Sequence, residues 1–71
     1  MNSEFRDMDG NLLNIGDYCE PTEGRRVKIV AREFFAEYNE EVLIGQQVED
    51  RGVYSPLTHA DLAANFRRVQ P

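Results

Sequence analysis

Arg26-Val27-Lys28-Ile29-Val30-Ala31-Arg32 and, after a polar break, Glu41-Val42-Leu43-Ile44-Gly45-Gln46-Gln47-Val48 decide the fold of this chain. In the first segment Val27, Ile29 and Ala31 fall on one side of an extended backbone. Arg26, Lys28 and Arg32, with Val30, fall on the other. That alternation is what a half-buried antiparallel strand displays. The second segment has β-branched residues at 42, 44 and 48, which suit a pleated surface. Between the two, Phe34, Tyr38 and Val42 recur at helical spacing, and residues 31–44 contain neither Gly nor Pro, so a helix near 32–43 also fits. Asn39, inside the polar stretch 37–41, offers a tight turn instead. We read a hairpin in which Val27, Ile29, Val42 and Ile44 are buried together; the alternative is an α+β fold with the helix.

The flanking sequence fits the hairpin reading. Asp9-Gly10 suits a two-residue turn between residues 5–8 and Leu12, Leu13 and Ile15, because Gly tolerates positive φ. Tyr18-Cys19-Glu20 resumes extended structure until the turn cluster Pro21-Thr22-Glu23-Gly24. Glu49-Asp50-Arg51-Gly52 turns the chain again, and Val53-Tyr54-Ser55 begins a short piece that Pro56 confines to an edge. Thr58-His59-Ala60-Asp61 has the spacing of a capping box, with Asp in the Glu position. Leu62 and Phe66 then lie one turn apart, and Phe66-Arg67-Arg68-Val69 leaves as a last strand. The expected architecture is a single domain over 1–71, mostly β, with about five short antiparallel strands in a small barrel and one helical turn before the last strand.

Composition removes several function classes. One cysteine, Cys19, cannot form a disulfide within the chain, and with one histidine, His59, it cannot build a zinc site. An unpaired thiol suits a reducing compartment. Met1-Asn2-Ser3-Glu4-Phe5-Arg6 lacks the apolar core of a secretion leader, and no run reaches the roughly 20 apolar residues of a membrane span. The reading is a soluble, cytoplasmic protein with no membrane contact. Thirteen acids against eight bases give a net charge of −5, concentrated in residues 1–24. Such a chain repels phosphate at long range, so nucleic acid is disfavoured as a partner. Arg25, Arg26, Lys28 and Arg32 would make a basic stripe only by sharing one strand face.

No reaction centre assembles. Asp7-Met8-Asp9-Gly10-Asn11 resembles a calcium loop, but Gly10 comes fourth and Tyr18 stands where the bidentate Glu would be needed. A hairpin turn explains the segment better. Cys19 has no base beside it in sequence, and a free Cys usually behaves as a small buried hydrophobe. The carboxylate pairs Glu33/Glu37, Glu40/Glu41 and Glu49/Asp50 all fall in polar stretches, where both members ionise. The glycines near the strands occur singly, so no phosphate-cradling loop exists. The expectation is a non-enzymatic chain without cofactor or metal.

Aromatic residues carry the remaining functional signal. The chain has four Phe and three Tyr and no Trp. Phe66 and one of Phe34 or Phe35 are expected in the core. Tyr18, Phe35, Tyr38 and Tyr54 are the candidates for an exposed protein-binding patch.

Gly16-Asp17-Tyr18, Gly24, Ala31-Arg32, Glu40-Glu41-Val42, Tyr54-Ser55-Pro56-Leu57 and Phe66 occur in an order that resembles small bacterial SH3-like barrel proteins, among them a short uncharacterised family. That pattern has G-x-Y, an apolar strand ending in Ala-Arg, an E-x-x-V strand, an R-P-x strand with tryptophan and a Phe. This chain lacks the tryptophan and has Ser55 in the place of the Arg. The resemblance implies a fold for residues 16–69 and no particular role. The functional expectation is therefore a small interaction module with an acidic, aromatic surface, meeting a basic protein or a second copy of itself. An inhibitor encoded by a phage or mobile element would have this character. The alternative is a nucleic-acid-binding module using Arg25, Arg26, Lys28, Arg32, Arg67 and Arg68.

Overall fold

The computed structural model describes residues 4–71; residues 1–3, the start of the segment read for a leader, lie outside the described residues. Residues 31–44 form no helix. β4 (Val27–Phe35) and β5 (Glu40–Gln47) pair antiparallel from Val27↔Gln47 to Phe35↔Glu40. Residues 36–39 close the hairpin: the Tyr38 amide donates to the Phe35 carbonyl and the Asn39 amide to the Ala36 carbonyl, each at 3.1 Å. Asn39 takes φ 52°, a left-handed conformation that Asn tolerates better than most residues. The helical spacing of Phe34, Tyr38 and Val42 had no continuous apolar stripe behind it, and strand pairing on both sides wins.

The remaining elements are β1 (Phe5–Arg6), β2 (Leu12–Leu13), β3 (Tyr18–Pro21), β6 (Tyr54–Leu57), α1 (His59–Asn65) and β7 (Phe66–Val69). Five strands form one antiparallel sheet in the order β6-β5-β4-β3-β7, and β1 with β2 makes a separate ribbon. The fold is mostly β. Pro56 lies on edge strand β6, where its missing N–H costs least. The other edge, β7, is covered by the first loop: the Met8 amide donates to the Phe66 carbonyl, and the Arg68 amide donates to Asp7 Oδ2.

α1 spans seven residues, nearer two turns than the single turn expected. Thr58 caps it, its hydroxyl accepting from the Asp61 amide at 3.1 Å, as the Thr-x-x-Asp spacing indicated. Leu62 projects from it into a core of Phe5, Leu13, Cys19, Val27, Ile29, Leu43 and Leu57, with Phe66 packed against the edge.

A β-bulge at Val30 resets the faces of β4. Ile29 pairs with Gly45, and Ala31, two residues on, pairs with Ile44. Opposed residues in a ladder point to one side. Val27, Ile29, Leu43, Gly45 and Leu57 therefore share the core face, while Ala31, Val42 and Ile44 share the outer one. This corrects the expected quartet: Val27 and Ile29 are in the core, Leu43 joins them, and both Val42 and the half-buried Ile44 lie on the other face. Val42 is fully buried but outside the main cluster. Gly45 is required for closeness, since a Cβ there would stand 3.0 Å from Leu57 Cδ1 and 3.3 Å from Val27 Cβ.

Candidate functional site

Phe5, not Phe34 or Phe35, is the aromatic at the centre of the core, with 1% of its surface exposed. His59 stacks on it with ring centroids 3.8 Å apart, and the Arg32 guanidinium lies 5.0 Å from its centroid. Phe5 was missed because β1 is only two residues long, too short for an alternation to register. Phe35 is half-buried and Phe34 is 61% exposed. Adjacent strand residues face opposite ways, and at the end of a long hairpin both sides have run past the core.

The structure divides the four expected surface aromatics into two pairs. Phe35 and Tyr38 come together at the hairpin tip, stacked with centroids 5.9 Å apart and planes inclined by 20°. Tyr18 and Tyr54 occupy one row across the outer face, running Val69, Tyr18, Lys28, Gln46, Tyr54 over five strands. Three strand spacings separate the two tyrosines, about 14 Å. The tip pair lies at the far end of β4, seven residues or roughly 20 Å along the strand from Lys28.

The tip is acidic and apolar at once. Residues 33–41 hold Glu33, Glu37, Glu40 and Glu41 and no base. Glu41 receives both Nε and Nη2 of Arg32, and Glu40 lies 4.0 Å from His59 Nδ1. Glu33 and Glu37 meet no cation among the described residues. Phe34 and Tyr38, the latter 47% exposed, stand among these carboxylates. Phe34 is the site residue that sequence reasoning left out; the adjacency Phe34-Phe35 was the available signal, because one of the two had to point away from whatever covered the other.

The tyrosine row has the opposite character. Lys28 Nζ lies 5.7 Å from the Tyr18 ring centroid, and Gln46 Nε2 donates to Tyr54 Oη at 2.9 Å and to the Arg51 carbonyl at 2.8 Å. Tyr18, Lys28, Gln46, Gln47, Val48 and Arg51 line a shallow depression of about 250 Å³.

The expected basic stripe does not form on one face. The bulge turns Arg32 toward Phe5 while Lys28 stays on the outer side. Arg25 is bonded to Glu49, Arg26 to Glu20 and Arg67 to Asp9, and the Arg68 guanidinium donates to the Leu12 carbonyl.

Two further groups have structural work. Asp7 is buried at the centre of the β1–β2 loop, where its carboxylate accepts from the amides of Asp9, Asn11 and Arg68 and from Asn11 Nδ2. The loop therefore spans residues 7–11 and is no two-residue turn; Gly10, at φ 84°, completes it. Burial alone would raise the Asp7 pKa, but these hydrogen bonds together outweigh it and hold the pKa below its usual 3.8. Cys19 is fully buried, and burial, with lesser help from Asp7 and Asp17, pushes its thiol up to about 11. At neutral pH it is a protonated core side chain.

Comparison with protein-family models, curated proteins and solved structures finds no match. No helix among the described residues is long and apolar enough to cross a membrane.

Proposed function

We propose that this chain is a small non-catalytic interaction module that binds a basic protein surface through its β4–β5 hairpin tip. One observation carries the reading: Phe34 and Tyr38 stand in water on a projection that holds four carboxylates and no base. Exposed aromatics cost solubility, and their burial against a partner is a strong source of binding energy. The surrounding carboxylates would steer a basic surface toward them and reject an acidic one. The order of the five strands, with α1 leading into β7, supports an SH3-like architecture as the scaffold, though that architecture assigns no role.

Protein is favoured over nucleic acid as the partner. Of the six bases that reading relies on, Arg25, Arg26, Arg32 and Arg67 already hold carboxylates. Phosphate contact would have to break those pairs against a net charge of −5. The test is affinity capture from native lysate by the wild-type chain and by Phe34→Ser/Tyr38→Ser. Loss of a wild-type band with the folded variant is the expected result, and undiminished capture would refute the reading. A steep salt dependence in filter binding to nucleic acid would replace it with the alternative.

A further inference from the structure

Most cationic heads in the described residues are engaged. Arg6, Arg25, Arg26, Arg32 and Arg67 lie on carboxylates, and Arg68 lies on a backbone carbonyl. Lys28 and Arg51 are the two whose heads meet no oxygen among the described residues, and both line the same depression, on the Lys28 side of Tyr18. The apolar side chains Val48 and Tyr54, 42% and 57% exposed, stand beside it. On a protein of net charge −5, two of the three cations that hold no carboxylate among the described residues are therefore gathered in one place, flanked by exposed apolar surface. The hairpin tip carries the complement: Glu33 and Glu37 without cations, next to exposed Phe34 and Tyr38.

We propose that the hairpin tip of one copy docks into the Lys28–Arg51 depression of a second copy. Glu33 and Glu37 meet Lys28 and Arg51, while Phe34 or Tyr38 lies against Tyr18 and Val48. The contact is heterologous, joining two different patches, so each pair retains one free tip and one free depression and grows into a ring or an open chain. The overall like charge of the copies opposes their approach, which keeps the association weak and set by the local match. This inference rests on the tip being an interaction surface, as proposed above. A basic partner would compete for the tip and release the copies from one another.

Sedimentation of the full chain between roughly 10 μM and 1 mM tests it. The average mass of the wild type is expected to rise with concentration. Lys28→Glu/Arg51→Glu and Glu33→Lys/Glu37→Lys, all at exposed positions, should each stay monomeric over the same range. Their equimolar mixture should associate again, because each acidic depression then faces a basic tip. A wild type that stays monomeric throughout overturns the proposal, as does association that both variants retain, or a mixture that fails to recover. The depression variant also separates the two readings. If it is monomeric yet captures the lysate partner as the wild type does, both stand; if the swap behaves as expected while no tip-dependent capture exists, the tip serves self-association alone.

Discussion

The two ends of the β4–β5 ribbon treat their side chains in opposite ways. Near its base, Phe5, Val27, Ile29, Leu43 and Leu62 are buried together, and Asp7, the one buried charge among the described residues, has its carboxylate met by four hydrogen bonds. At its tip, Phe34 and Tyr38 face water, and two of four carboxylates meet no basic side chain among the described residues. A domain of this size holds little stability in reserve, so apolar surface left outside the core is a cost with no folding return. Stability belongs to the base, and the tip is where we propose that recognition occurs.

The contrast is broken most directly by changing one aromatic at each end. Phe5→Ala removes the central ring that His59 and Arg32 lie against, and is expected to cost about 3–5 kcal/mol in urea unfolding, enough to leave a domain this small barely folded. Asp7→Ala comes next. It strips the acceptor from three backbone amides, which should cost about 2–4 kcal/mol.

Asp7 also gives the fold an acid limb. Its folded pKa lies below the usual 3.8, so its contribution is fully present above that value and is lost as pH falls through the lower folded value. Asp7→Asn should flatten this part of the stability–pH profile, and an unchanged profile would remove Asp7 as its source. Gly45→Ala tests the closeness of β4, β5 and β6. A methyl 3.0 Å from Leu57 Cδ1 should cost about 1–3 kcal/mol by the same assay. The smallest effect belongs to the tip: Phe34→Ser/Tyr38→Ser should move the urea midpoint by less than the equivalent of about 0.5 kcal/mol per site.

Much of the base was legible in the sequence, because it rests on period-2 alternation at 27–31 and on the Thr58 cap, and the turn chemistry of Asn39 marked where the ribbon reverses. The bulge was not. Nothing in Val30 marks an extra residue, yet it sends Arg32 to the Phe5 side and exchanges Ile44 for Leu43 in the core. The buried roles of Phe5 and Asp7 escaped notice for a related reason: Phe5 is packed by His59 and Arg32, and Asp7 is tied to β7 through the Arg68 amide, contacts dozens of residues away that no local spacing encodes. Of the four aromatics read as one candidate patch, Phe35 and Tyr38 stack at the tip, whereas Tyr18 and Tyr54 belong to a separate row three strand spacings wide, because no spacing in the sequence says which strands will be neighbours.

The division of labour is tested most directly by lysate capture with a Phe34→Ser/Tyr38→Ser chain whose urea midpoint matches the wild type. This well-folded variant is expected to lose the partner that wild-type protein retains. Equal retention by both chains would contradict it and return the hairpin tip to the status of ordinary surface.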